Sequence, residues 1–188
     1  MTATKGDTRT RLLETALGLF TVHGVEGTSL QMIADALGVT KAAVYYHFRT
    51  KDDITEAVAE PALRELSAVL DQAATLRRHS AQVDHVLDGL IDLVVRHRVL
   101  VAVFCSDPGI ARAVERSLHG EENVMTRLPA MLTSDDTDEA CQVAAHVALA
   151  GVAMAGGSPA FATMDGEALR RHLGDAARRL LGRPRRRD

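Results

Sequence analysis

The sequence predicts an all-α chain in two parts. Apolar residues recur at helical spacing almost throughout its 188 residues. Alanine and leucine dominate while β-branched runs stay short. Four short helices crowd into the first 55 or so residues and longer ones follow. With 46% hydrophobic and 25% charged residues, the chain can bury a core and is neither a disordered tail nor a membrane bundle.

The first helix is expected over residues 8–23, with Leu12, Leu13, Ala16, Leu17 and Phe20 on one face and Gly24 as its stop. A second opens at Thr28, where Thr28 and Gln31 have capping-box spacing, and ends at Gly38 after burying Leu30, Ile33, Ala34 and Leu37. A very short third covers residues 40–47. The next starts at Thr50, with Asp52 and Asp53 in the first turn where the helix dipole favours acid, and runs to about residue 76. Pro61 interrupts it and should kink it. Further helices are expected over 80–97, 99–105, 107–118 (Pro108 near its first turn), 121–132, 135–156 and 165–181. Gly182 and Pro184 stop the last one, and Arg185, Arg186 and Arg187 read as a solvated basic tail.

Several chemistries find no support. Cys105 and Cys141 show neither CxxC nor paired spacing, which argues against a disulfide framework or zinc site and for a reducing cytoplasm. The eight histidines form no HExxH, and no nucleophile elbow or glycine-rich phosphate loop occurs. We therefore expect no enzyme, no cofactor and no metal. Asp84, Asp88 and Asp92 fall at i, i+4 and i+8 beside His85, which reads as a solvated helix face in preference to a cation site. The longest weakly polar run, 144–157, is interrupted by His146 and falls short of a membrane span, and no signal segment is seen. Net charge is −3, with six Lys+Arg against eight Asp+Glu up to residue 60 and 16 against 17 beyond. That balance counts against a polyanionic partner unless a few cations are locally placed.

Residues 30–44 have such a local layout. Ala34 is small where two helices approach, Gly38 allows a left-handed turn, and Val44 returns an apolar anchor to the core. This is the arrangement of a helix-turn-helix, whose second helix is held rigidly for the major groove of DNA. The wider stretch Thr10-Arg11-Leu12-Leu13-Glu14-Thr15-Ala16, Leu19-Phe20, Gly24, Gly27-Thr28-Ser29, Ile33-Ala34, Leu37-Gly38-Val39-Thr40-Lys41 and Val44-Tyr45-Tyr46-His47-Phe48 with Lys51 resembles the amino-terminal domain of TetR/AcrR-family transcriptional regulators. The resemblance covers about the first 55 residues. It implies a helix-turn-helix DNA-binding domain over 1–53, a helical effector-binding and dimerisation domain over 54–182, and a tail over 183–188.

In the third helix, Lys41, Ala42 and Tyr45 project from the packed face toward base edges, and Thr40 sits at the N-cap, where a hydroxyl and backbone N–H groups suit a phosphate. Tyr46, His47 and Lys51 would line neighbouring phosphates, joined by Thr28 and Ser29. The bland alternatives are tyrosines filling the core, a solvated Lys51 and a structural His47. One such module reads few base pairs, so a homodimer on palindromic double-stranded operator DNA is expected, with half-sites about 34 Å apart or slightly more. Its surface is assigned to Ala144, Ala148, Gly151 and Ala155 with Leu169, Leu173, Ala177 and Leu180, burial inside one subunit being the alternative. The resemblance also implies a repressor released by a small-molecule effector. The scarcity of aromatics after residue 60 favours an apolar effector, lined by Leu90, Val94, Phe104, Met125, Leu128, Met131 and Val147 with polar contacts from His97 and His146. A DNA-binding regulator controlled without a small molecule, by abundance or a protein partner, is the alternative, and a small helical enzyme a more distant one.

Overall fold

The computed structural model describes residues 5–107, 110, 124–133 and 138–183. Every regular element among the described residues is helical: α1 (Lys5–Gly27), α2 (Leu30–Leu37), α3 (Lys41–His47), α4 (Lys51–Ala74), α5 (His79–Arg96), α6 (Arg98–Ser106), α7 (Val124–Leu132), α8 (Glu139–Gly156), a 3-10 turn (Pro159–Phe161) and α9 (Gly166–Leu180). Most of the helix expected over 107–118, the starts of those expected at 121 and 135, and the tail beyond residue 183 lie outside the described residues.

Local chemistry explains most boundaries. The Thr50 hydroxyl accepts the Asp53 N–H at 3.0 Å, and Asp53 Oδ2 accepts the N–H groups of Arg49 and Thr50 at 2.9 and 3.0 Å. This reciprocal cap starts α4. The Thr50 hydroxyl and then the two N–H groups hold the Asp53 carboxyl below its ordinary value. Asp138 and Asp165 cap α8 and α9 more simply, Asp138 accepting the Cys141 N–H and Asp165 those of Glu167 and Ala168. Pro61 lies inside α4 without ending it, so the expected interruption costs a backbone bond and leaves residues 51–74 helical.

The chain divides into two compact units, one within Met1–Pro61 and Val103–Ser117, the other within Ala62–Ala102 and Leu118–Asp188. In the first, α2 packs on both α1 and α3. Leu12, Ala16, Phe20, Ile33, Ala34, Val44 and Ile54 form its buried core. The second unit is a helical bundle in which α9 packs on α8 and α5, and α7 packs on α5 and α8. Val83, Val86, Leu87, Leu90, Val94, Leu128, Ala145, Ala148, Val152, Leu169, Leu173 and Ala177 fill it.

This packing corrects the assignment of the association surface for four of its eight residues, while Gly151 and Leu180 are exposed and Ala144 and Ala155 half-buried. Ala148, Leu169, Leu173 and Ala177 are 1–6% exposed, so that apolar stripe is the bundle's own core. On α8 the large apolar side chains left uncovered are Val143, Val147 and Met154, at 62%, 50% and 59% exposure; Leu180 of α9 is exposed too, as are Val99, Met125 and Phe161 singly elsewhere in the unit. α8 covers 139–156 of the helix expected over 135–156, and, although the weakly polar run within it reads as too short for a span, at 18 residues and a mean hydropathy of 1.2 it is long and apolar enough to cross a membrane by length and composition alone.

The aspartates of α5 have a second use that their spacing did not reveal. Arg178 Nη2 lies 2.6 Å from Asp88 and its Nε 3.9 Å from Asp84. Arg183 reaches Asp84 at 3.3 Å and Arg170 reaches Asp92 at 2.6 Å. Each aspartate thus meets an arginine of α9 or of the residues just after it, and the row is an ion-pair ladder joining α5 to α9. No grouping of three or more metal-binding side chains occurs among the described residues.

Candidate nucleic-acid interface

The first unit is built to hold one short helix still while leaving half of it bare. α2 begins at Ser29, whose hydroxyl accepts the Met32 N–H at 3.1 Å, and ends at Gly38 in the left-handed conformation, whose N–H bonds back to Ala34 and Asp35. α3 follows after three residues, Gly38, Val39 and Thr40. Thr40 caps it by accepting the Ala43 N–H at 3.2 Å, and the Phe48 N–H closes it on the Val44 carbonyl at 3.0 Å.

Val44 is fully buried and Phe48 is 5% exposed. Burying two side chains of this size stabilises the helix position by about 1.5–3 kcal/mol each. With that face anchored, Lys41 and Tyr45 at i and i+4, and Ala42 and Tyr46 at i and i+4, stand on the opposite side, all exposed. Tyr45 is 47% and Tyr46 71% exposed, so neither ring fills the core. The Lys41 ammonium sits 5.8 Å from the Tyr45 ring centroid, within cation–π range. Tyr46 meets the His47 ring edge-on at 5.3 Å, which leaves His47 half-buried under the tyrosine.

Two of the residues expected at this surface are turned to other work. Thr28 is only 2% exposed, and its hydroxyl donates to the Gly24 carbonyl at 2.7 Å. The helix cap falls one residue later, on Ser29, because adjacent Thr and Ser offer the same chemistry and only the register of α2 decides between them. Lys51 Nζ lies 3.2 Å from the Glu26 carbonyl and 3.3 Å from its carboxylate, so the lysine caps the end of α1. Spacing missed Arg9, whose guanidinium lies 5.2 Å from the Phe48 ring centroid and brings a cation to the end of α3. It is 39 positions upstream of that ring, where no motif spacing could point to it.

The side chains expected to line an effector site differ widely in exposure. Leu90, Val94 and Leu128 are packed into the second unit's core, Met131 is half-buried, and Met125 and Val147 are exposed. His146 is exposed, its Nδ1 2.8 Å from the Gln142 carbonyl of its own helix. His97 Nε2 lies 2.8 Å from Glu65, and burial followed by the Arg96 charge pushes its pKa below the ordinary value. Phe104 falls in the first unit. A cavity of about 600 Å³ opens elsewhere in the second unit, against Val83, Leu132, Ala144, Leu180, Leu181 and Arg183, and none of the nine expected residues lines it. Periodicity marked these residues as inward-facing, whereas Met125, His146 and Val147 stand exposed.

Residues 12–58 match the family described as bacterial regulatory proteins, tetR family. Over 61 residues the chain is 46% identical to the probable acrEF/envCD operon repressor of Escherichia coli, covering 31% of this chain and 28% of that one. The chain thus spans under a third of the length of that curated relative. Similarity of fold extends much further. A TetR-family regulator, PfmR of Thermus thermophilus, superposes with a TM-score of 0.64 at 22% identity, over 94% of this chain and all of that one. SCO3833 of Streptomyces coelicolor, of the same family, gives 0.69 at 20% identity over 93% and 91%.

Proposed function

We propose, from the membership of this chain in the TetR/AcrR family of transcriptional regulators, that it is a cytoplasmic, non-enzymatic repressor that binds palindromic operator DNA as a homodimer. The observation that carries this is α3: buried through Val44, closed by Phe48, and bare along Lys41, Ala42, Tyr45 and Tyr46. A helix so fixed enters a major groove without paying to order itself, and its bare side is the one that reaches bases. Lys41 and Tyr45 are assigned to base edges, Ala42 to close approach or a thymine methyl, and Thr40, Tyr46, Ser29 and Arg9 to the flanking phosphates. In this reading residues 1–53 read DNA and residues 54–182 carry association and sensing.

Selecting bound sequences from a random duplex pool should recover a two-half-site palindrome. On it, Lys41→Ala or Tyr45→Ala should weaken binding by about 1–3 kcal/mol. Unchanged gel-shift affinity for both variants would remove α3 from the interface.

Association is supported by the uncovered side chains of α8. Val143 and Val147 are one helical turn apart, Met154 continues the face, and an apolar strip of this kind is what a second subunit covers. Sedimentation at micromolar concentration should give a dimer for the wild-type chain and a monomer for Val147→Glu. A dimeric Val147→Glu would place the contact elsewhere.

Release by a small effector is supported by the size of the open cavity, whose lining sets Val83, Leu132 and Leu180 beside His79, Asp138 and Arg183, so that an apolar body with a polar group fits it best. The tight packing of Leu90, Val94 and Leu128 favours a second reading, in which the bundle stays filled and abundance or a protein partner sets occupancy of the operator. Screening metabolites for release of the recovered operator separates the two.

A further inference from the structure

The end of α1 is broken in an unusual way. Gly24 has φ 70° and ψ 169°, which turns the chain out of the helix so that the next amide no longer meets a carbonyl one turn back. Val25 is 2% exposed, and its N–H finds an acceptor 82 positions downstream: Asp107 Oδ2, at 2.6 Å, just past the end of α6. Two further bonds hold the same short segment. Thr28 donates to the Gly24 carbonyl, and Lys51 caps the Glu26 carbonyl. The segment so clamped leads directly into α2, and α2 carries α3.

We propose that Asp107 is a positioning residue for operator binding. Its carboxylate fixes the Val25 amide, and through the Gly24 to Thr28 turn it sets the register in which α2 delivers α3. A short N–H to carboxylate bond is among the stronger hydrogen bonds a protein makes, and a buried amide left without it would draw the turn toward another acceptor. The consequence is that the DNA-reading unit depends on a side chain outside residues 12–58, the stretch that identifies it. This proposal rests on the DNA-binding reading above.

The test uses the full chain as Asp107→Ala and Asp107→Asn, with operator affinity measured across a range of salt concentrations and the Val25 amide followed by ¹⁵N NMR. Asp107→Ala should shift the Val25 amide upfield, speed its hydrogen exchange and weaken operator binding on the order of tenfold. The slope of affinity against salt should not change, because Asp107 touches no phosphate. Asp107→Asn keeps an acceptor oxygen and should recover most of the affinity. That recovery separates positioning from a general loss of stability. Asp107→Ala binding its operator as the wild type does overturns the proposal, as does an unshifted Val25 amide. A wild-type chain that selects no DNA overturns the functional reading itself, and the amide readout tells that failure apart. Should Asp107→Ala not fold, Asp107→Asn with a displaced Val25 amide and unimpaired affinity is the overturning result.

Discussion

Gly24→Ala should destabilise the first unit by about 2–3 kcal/mol, whereas Gly38→Ala should cost about 1 kcal/mol. The two glycines share almost the same φ, 70° and 71°. They differ in ψ and in surroundings. Gly38 has ψ 33°, the ordinary left-handed helical region, and a Cβ built on it meets nothing within 4 Å. Gly24 has ψ 169°, a region that only glycine occupies readily, and its Cβ would lie 2.8 Å from Asp107 Oδ2. Alanine at 24 therefore carries backbone strain and also pushes away the acceptor that Val25 requires. Urea unfolding of both variants measures the difference in midpoint. Equal losses would mean that the turn relaxes around the methyl group and that neither the ψ value nor the carboxylate constrains it.

Gly24 also shows what the sequence made legible and why. A glycine at the end of an amphipathic run reads as a helix stop, and so does Gly38; both stand where the chain turns. The buried faces of α1 and α2 followed from spacing alone, since Leu12, Ala16, Phe20, Ile33 and Ala34 are all at most 2% exposed. The exposed side of α3 followed from the placement of Val44. Contacts that close over long separations were not legible. Nothing at residue 24 announces Asp107, and nothing near Glu26 announces Lys51, because each is a partnership of the folded chain and not of a segment. The bundle shows the same limit from the other side. Helical spacing found that Leu169, Leu173 and Ala177 form a stripe, but a stripe covered by the chain's own α5 and α8 has the same period as one awaiting a second subunit. Only packing distinguishes them, and it leaves Val143, Val147 and Met154 uncovered instead.

Arg178→Met should cost about 2–3 kcal/mol of stability in the second unit, and Arg170→Ala no more than about 1 kcal/mol. Both arginines pair with an aspartate of α5 at 2.6 Å, so distance does not separate them. Burial does. The Arg178 side chain is 8% exposed, against 42% for Arg170, and its partner Asp88 is 38% exposed against 52% for Asp92. A pair reached by water gains little, since the charges trade one solvated state for another and salt screens them. Removing Arg178 leaves Asp88 facing a packed helix with its strongest partner gone. Because Asp88 keeps some access to water, the loss should fall below the 3–5 kcal/mol or so of a fully enclosed pair. Gly174 marks how closely the guanidinium is housed, because a Cβ there would lie 3.0 Å from Arg178 Nη1. Urea midpoints at low and high sodium chloride provide the measurement, with Arg178→Met/Asp88→Asn as the double variant. The Arg170 contribution should vanish at high salt while that of Arg178 persists, and the double variant should lose less than the two single losses added together. Equal losses for Arg178→Met and Arg170→Ala would show the ladder to be an exposed charge pattern after all, as its i, i+4, i+8 spacing first suggested.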